Sequence, residues 1–100
     1  PSGFVGKVME PRLSGIFTIK DGKLYDYMRS LKETEDIFIE PSACAAFEGA
    51  AKITEYEEAK DYLERLGLTG KMGNAVHVAW ATGGKLVPKE IRKVFEEMYL

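Results

Sequence analysis

Two patterns of apolar residues alternate along this chain. Short runs of β-branched and aromatic residues indicate three buried strands. These runs lie at residues 16–19, 37–39 and 75–81. The third run is apolar almost throughout, as expected for a central parallel strand that is covered on both faces. The strands therefore predict an interior sheet.

Helical periodicity separates and follows these runs. Leu24, Tyr27, Met28 and Leu31 have the spacing of an amphipathic helix, and similar stripes follow later in the chain. Four helices are predicted: one from Asp21, one capped by Ser42 and ended by Gly49, one with a capping box at Thr54 and ended by Gly67, and one from Pro88. Strands that alternate with helices predict an α/β fold, with the whole of residues 1–100 in a single domain.

The predicted parallel sheet gathers chemistry at one edge. Right-handed crossovers bring the carboxyl ends of parallel strands to the same edge, where open α/β sheets bind their ligands. The residues that follow the three strands are Lys20 and Asp21, then residues 40–42, then residues 82–85. We expect a ligand site among these three groups.

The overall charge excludes two classes of partner. Fourteen Lys and Arg against sixteen Asp and Glu give a net charge of -2 with both signs interspersed, which is not a footprint for nucleic acid or an anionic membrane. The longest uncharged apolar run, residues 75–80, is far shorter than the roughly 20 residues that a membrane helix needs. The lone Cys44 excludes an internal disulfide and favours a reducing, cytoplasmic setting.

The turn after the third strand is the first candidate for ligand contact. Thr82 offers a hydroxyl at a strand end, and Gly83 and Gly84 would let the backbone approach a ligand closely, although the same residues also suit a simple tight turn. A phosphate-binding loop is excluded, because Ala79 and Leu86 occupy the positions where its motif requires glycine and a hydroxyl.

Other reactive side chains have simpler interpretations. Glu40 follows an apolar strand, which suits either a solvated strand end or a site carboxylate. Ser42 is interpreted as a helix cap, His77 as a hydrogen-bonded core histidine, and Cys44 as a buried, inert thiol. No metal-ligand spacing occurs around His77.

Two motifs give the chain a resemblance to a known family. Glu40-Pro41-Ser42-Ala43 and the run Trp80-Ala81-Thr82-Gly83-Gly84, preceded by the opening residues 2–7, resemble D-serine dehydratases over nearly the whole chain. Each motif alone is weak, and the two together are fairly specific. The wider group comprises pyridoxal-phosphate enzymes with the tryptophan-synthase β-subunit fold, known as fold type II.

The resemblance implies a lyase that converts D-serine to pyruvate and ammonia with pyridoxal phosphate. It implies that Thr82 hydrogen-bonds the pyridine nitrogen of the cofactor, that Gly83 and Gly84 keep the backbone clear of its ring, and that Glu40 lies nearby. Such enzymes often use a monovalent cation as well. The chemistry itself belongs to the cofactor.

The same resemblance implies that this chain is a carboxyl-terminal part of the enzyme. It begins at Pro1 without an initiator Met, and no segment matches the family's Schiff-base lysine or glycine-rich phosphate loop. We therefore expect the chain alone to be inactive and to self-associate through exposed apolar surface. The alternative is a self-contained α/β module that binds a small molecule or a protein at the same sheet edge.

Overall fold

The computed structural model describes residues 3–100, which form helices joined by irregular segments. The α-helices are α1 (Gly3–Met9), α2 (Asp21–Glu35), α3 (Glu48–Glu55), α4 (Glu57–Arg65) and α5 (Lys89–Glu97). Two 3₁₀ helices, Pro41–Phe47 and Thr69–Asn74, complete the order of elements. No helix among these residues is long and apolar enough to cross a membrane.

The core lies where α2 packs on the first 3₁₀ helix. Met28 on α2 is 1% exposed, and it joins Ile39, Ala43 and Cys44 in one buried cluster. Tyr25 and other large side chains pack around this cluster at partial exposure. The apolar stripe predicted for α2 is therefore confirmed, and it faces residues that follow directly in the chain.

The middle of the chain differs from the sequence prediction in two places. Gly49 does not end a helix, because the 3₁₀ helix after Glu40 passes directly into α3. Thr54 does not cap α4, because its hydroxyl donates to the carbonyls of Ala50 and Ala51, at 3.1 and 3.0 Å, inside α3. Because the Thr54 hydroxyl bonds within α3, it does not bond to α4, which begins at Glu57 without a side-chain cap.

The predicted end of α4 and the predicted last helix are confirmed. After Arg65 the chain turns through Gly67, whose φ of 70° lies in the left-handed region that favours glycine. Pro88 stands immediately before α5, as suits a residue without an amide hydrogen. α5 rests on α2 through Tyr25 and Phe95, whose rings meet edge to face at 5.9 Å.

The predicted α/β fold is wrong, since residues 3–100 contain no strand and no sheet. The three runs at residues 16–19, 37–39 and 75–81 lie in irregular segments. Among the described residues, one backbone hydrogen bond joins two of these segments, from the Glu40 amide to the Gly83 carbonyl. A strand takes its hydrogen bonds from a neighbour, and these runs do not supply them to one another. The alternative interpretation, a self-contained α/β binding module, required this sheet and is therefore wrong as well.

The surface of the molecule shows the consequence. The chain exposes 8061 Å², whereas a compact monomer of its size exposes about 5,700 Å². Its radius of gyration is 16.1 Å, against about 13 Å for a compact 100-residue domain. Ile16, Val76, Val78 and Trp80 are at least 82% exposed. The apolar runs that predicted strands thus remain on the surface.

Candidate functional site

Two of the three predicted groups of site residues meet in the structure. The amide of Glu40 donates a hydrogen bond of 3.0 Å to the carbonyl of Gly83. This bond joins the segment that leads into the first 3₁₀ helix to the glycine turn before α5. We name residues 82–84 the glycine turn. The meeting that the sequence analysis assigned to a sheet edge therefore occurs without a sheet.

Gly84 lies flat against the backbone of the neighbouring segment. A Cβ atom at this position would stand 2.5 Å from the Glu40 nitrogen and 2.6 Å from the Ile39 Cα. Gly83 and Gly84 both have a φ of 148°, in the region that favours glycine. Gly83 differs from Gly84, because a Cβ there would meet nothing within 4 Å. Position 84 thus requires glycine for contact as well as for conformation.

Two polar side chains beside this contact have no partner in the part of the chain that the structure describes. Thr82 is exposed, and no hydrogen bond from its hydroxyl to the described residues is present. The Glu40 side chain is half-buried, and within residues 3–100 its carboxylate has neither a hydrogen bond nor an ion pair. Thr82 in the glycine turn and Glu40 beside it therefore offer a hydroxyl and a carboxylate that have no partner within residues 3–100.

The backbone of Glu40 is anchored from the other side by the first 3₁₀ helix. Its carbonyl accepts hydrogen bonds from the Ala43 amide at 3.0 Å and from the Cys44 thiol at 3.6 Å. Cys44 is fully buried, and this burial raises the pKa of its thiol to about 11. The thiol is thus a poor nucleophile at neutral pH, as the sequence analysis expected.

The remaining sequence candidates lie outside this arrangement. Within the described residues, no hydrogen bond or ion pair joins Lys20 or Asp21 to the glycine turn. Ser42 is exposed inside its 3₁₀ helix and caps nothing. His77 is exposed too, so the prediction of a core histidine is wrong. Residues 75–81, the run that contains His77, are all exposed, so they do not bury its side chain.

A second buried polar contact links α2 to α3. The Tyr27 hydroxyl donates to a carboxylate oxygen of Glu48, which is 8% exposed. This hydrogen bond, with burial and the negative charges of Glu48 and Glu55, raises the pKa of Tyr27 to about 12. The pair satisfies a buried carboxylate and ties α3 to the core.

A groove of about 670 Å³ lies apart from the glycine turn, between residues 14–18 and the helices α3 and α4. Lys52 lies on its wall, with its ammonium 4.0 Å from the centre of the Tyr56 ring and hydrogen-bonded to the hydroxyl of that ring at 2.7 Å. The groove contains none of the predicted site residues.

Sequence comparison shows which proteins the chain is similar to. It is 56% identical over 101 aligned positions to a probable D-serine dehydratase of Fusobacterium nucleatum subsp. nucleatum, which covers the whole chain and 22% of that protein. The chain is homologous to a segment of the D-serine dehydratases. A probable D-serine dehydratase of Bacillus cereus strain B4264 is 46% identical over 91 residues, and one of Geobacillus stearothermophilus is 40% identical over 95 residues. No protein-family model matches the chain.

The resemblance to D-serine dehydratases that the two motifs predicted is thereby confirmed. The chain spans about one fifth of the length of these relatives, namely 22%, 20% and 21% of the three proteins. The roles of Thr82, Gly83, Gly84 and Glu40 stay predictions, as does the extent of a single domain over residues 1–100.

Arg92 was not among the residues predicted from the sequence. This residue lies one turn into α5, and its guanidinium donates hydrogen bonds to the carbonyls of Gly84, at the end of the glycine turn, and of Lys85 and Val87 just after it. Its position in the sequence could have indicated this role, because Arg92 follows Pro88 by four residues and so lies close to a turn whose carbonyls need hydrogen-bond donors. Helical periodicity alone makes Arg92 an exposed position, so hydrophobic pattern gave no reason to select it.

Proposed function

We propose that the chain is a carboxyl-terminal part of a pyridoxal-phosphate-dependent D-serine dehydratase, which converts D-serine to pyruvate and ammonia. The observation that carries this proposal is the 56% identity over the whole chain to a probable D-serine dehydratase. The hydrogen bond between Glu40 and Gly83 supports it from the structure, because it unites the two motifs on which the resemblance rests.

The groups around the glycine turn fit one side of such a cofactor. Thr82 offers a hydroxyl and Glu40 a carboxylate, neither of them bonded within residues 3–100, and Gly83 offers a backbone without a side chain. An aromatic nitrogen base needs a donor or acceptor at its ring edge and an unobstructed approach to its face. These three residues would therefore hold the pyridine edge of pyridoxal phosphate, while its phosphate and aldehyde would be held by residues outside this chain.

Thr82 determines what this side of the site contributes. Pyridoxal phosphate supplies the electron sink for loss of the α-proton of the substrate. A hydroxyl that hydrogen-bonds the ring nitrogen orients the ring without imposing a proton on that nitrogen, unlike a carboxylate. Thr82 would thus position the ring and moderate its electron demand, which favours elimination of the substrate hydroxyl over transamination.

The isolated chain would not turn over D-serine. The proposed contacts reach one edge of the cofactor, and no residue here is assigned to the covalent attachment of its aldehyde. When the 100-residue chain is mixed with pyridoxal phosphate and D-serine, we expect no pyruvate. Formation of pyruvate by the purified chain at a rate above that of free cofactor would contradict the division of roles.

The decisive experiment uses the longer enzyme that contains these residues. We expect wild-type enzyme to form pyruvate from D-serine, and Thr82→Ala to weaken pyridoxal-phosphate binding or slow elimination about fivefold, the effect of one lost hydrogen bond. The matched control is Thr18→Ala, because Thr18 is also an exposed hydroxyl without a hydrogen bond to residues 3–100. We expect this control to behave like wild type.

Two results would count against the proposal at different levels. A wild-type enzyme that does not act on D-serine would overturn the function. Full activity and full cofactor affinity in Thr82→Ala would leave the function and remove the role assigned to Thr82.

A further inference from the structure

Arg92 binds the backbone that leads out of the glycine turn. Its Nε donates to the Val87 carbonyl at 3.0 Å, and its Nη2 donates to the carbonyls of Lys85 at 3.1 Å and Gly84 at 3.4 Å. The Val87 amide closes the same turn with a bond of 3.1 Å to the Gly84 carbonyl. The planar guanidinium therefore binds three carbonyls of residues 84–87, which lie outside the helices.

The same guanidinium also holds the segment on the other side of the contact. Its central carbon lies 4.3 Å from the centre of the Phe38 ring, within the range of a cation–π interaction. Phe38 immediately precedes Ile39 and Glu40, the residues on which Gly84 lies flat. We call the contact between residues 38–40 and the glycine turn the junction. Arg92 contacts both sides of it, residues 84–87 through hydrogen bonds and residues 38–40 through the Phe38 ring.

The junction has little else to hold it. Among the described residues, the Glu40 amide to Gly83 carbonyl bond is the one backbone hydrogen bond across it. The neighbouring residues 75–81 are exposed, so they contribute no packing that would press the turn into place. Arg92 itself is partly buried, which strengthens its bonds relative to those of a fully hydrated side chain.

We propose that Arg92 is a positioning residue for the cofactor side of the site. It holds the glycine turn against residues 38–40 and thereby fixes the distance and angle between the Thr82 hydroxyl and the Glu40 carboxylate. This inference rests on the proposed function for its chemical meaning, whereas the geometry it describes is a property of this chain. Arg92 acts through the backbone carbonyls of residues 84–87 and through the Phe38 ring.

Lysine cannot replace arginine in this position. The guanidinium is a rigid fork that donates in several directions within one plane and stacks on an aromatic face with that plane. A lysine ammonium keeps the charge, but it lacks the planar fork that reaches these carbonyls while stacking on a ring. Arg92→Lys therefore separates the geometry of Arg92 from its charge, and Arg92→Gln removes the charge as well.

The structure provides a matched control in Arg29. Its guanidinium also donates to three backbone carbonyls, those of Glu96 at 3.2 Å, Met98 at 2.8 Å and Tyr99 at 3.5 Å. These carbonyls lie at the far end of α5, away from the glycine turn. Arg29→Lys thus removes the same kind of interaction at the other end of α5, with no loss of a hydrogen bond to the glycine turn.

The first measurement uses the 100-residue chain and needs no cofactor. Amide hydrogen exchange, followed by NMR at constant pH, reports how firmly the Glu40 amide is held by the Gly83 carbonyl. We expect Arg92→Lys to speed exchange of this amide about tenfold, the effect of losing a charge-assisted hydrogen bond. The amide of Asp36, which donates to Lys32 at the end of α2, should be unchanged. Arg29→Lys should leave both amides at their wild-type rates.

The second measurement uses the longer enzyme. We expect Arg92→Lys and Arg92→Gln to weaken pyridoxal-phosphate binding about tenfold, since the two side chains beside the ring lose their fixed geometry. Thermal unfolding should stay close to that of wild type in Arg92→Lys, which distinguishes positioning from loss of fold. Arg29→Lys should bind the cofactor as wild type does.

The outcomes separate this inference from the proposed function. Unchanged exchange of the Glu40 amide in Arg92→Lys would overturn the inference, whatever the enzyme does. Faster exchange with unchanged cofactor affinity would also overturn it, because the junction would then loosen without consequence for the site. An inactive wild-type enzyme would overturn the proposed function, while the exchange result would still decide whether Arg92 fixes the junction.

Discussion

Residues 21–48 are less rich in apolar side chains than residues 75–81, with 13 of 28 positions against six of seven, yet it is the first of these regions that is buried. In the first region Met28 and Cys44 are 1% and 0% exposed. In the second region Val76, Val78 and Trp80 are 82–87% exposed. The difference lies in what each region can reach, because α2 faces residues that follow directly in the chain, whereas residues 75–81 have no such neighbour. Apolar character alone does not decide burial.

The backbone explains the same contrast. A helix satisfies its amides and carbonyls from within its own residues, so α2 needs only one apolar neighbour to become stable. A strand needs a second strand for its hydrogen bonds, and none of the described residues supply one to residues 75–81. The backbone hydrogen bonds of α2 are therefore satisfied by α2 itself, whereas those of residues 75–81 are not satisfied by strand pairing among the described residues.

The largest test of this comparison is removal of a core side chain. Met28→Ala should lower the free energy of unfolding by about 2–5 kcal/mol, because it opens a cavity where Met28 packs against Ile39, Ala43 and Cys44. Trp80→Ala, although it removes a larger side chain, should change that free energy by less than about 0.5 kcal/mol. Urea denaturation of the 100-residue chain measures both. Equal losses in the two variants would show that residues 75–81 are packed after all.

A smaller effect is expected at the junction between the two regions. Gly84→Ala should lower the free energy of unfolding by about 1–3 kcal/mol, because its Cβ would meet the backbone of Ile39 and Glu40. Gly83→Ala has the same φ of 148° with open space around its Cβ, so it should cost only conformational strain and therefore less than Gly84→Ala. Hydrogen exchange of the Glu40 amide distinguishes the two variants. We expect a large increase in Gly84→Ala and a small one in Gly83→Ala, and the reverse order would contradict the close contact.

A third effect is a loss of stability at alkaline pH that originates in the packed region. The pKa of Cys44 is raised from 9.0 to about 11, and that of Tyr27 from 10.0 to about 12. The unfolded chain therefore releases these protons at lower pH than the folded chain, so stability is full below pH 9 and falls as the pH rises towards 12. The double variant Cys44→Ala, Tyr27→Phe should flatten this fall when urea denaturation is repeated across the range. An unchanged slope would show that neither group is held in its protonated form.

Local pattern predicted those parts of the fold that depend on local interactions. The spacing of Leu24, Tyr27, Met28 and Leu31 was sufficient for α2, because a helix and its apolar stripe are properties of one segment. The stop after α4 followed from Gly67 in the same way. The prediction of a sheet was wrong, because β-branched composition indicates only a preference for extended backbone, whereas strand pairing depends on two segments.

The meeting of the two motifs was predicted from the pattern of strands, whereas the roles of Thr82, Gly83, Gly84 and Glu40 came from the resemblance and stay predictions. The two motifs were expected to meet, and the bond between Glu40 and Gly83 brings them together, although without the predicted sheet. Lys20 and Asp21 were expected beside them on the strength of that sheet and are not joined to them. Arg92 escaped prediction because its role depends on carbonyls that only the folded backbone presents.

The flat contact of Gly84 limits how this chain tolerates change. The atoms that a side chain at position 84 would strike are the nitrogen of Glu40 and the Cα of Ile39, which are main-chain atoms. Because every amino acid carries these atoms, no substitution at position 39 or 40 makes room. A saturation library at position 84 should therefore return glycine alone, and a search for second-site suppressors of Gly84→Ala should find none at the two residues that it touches.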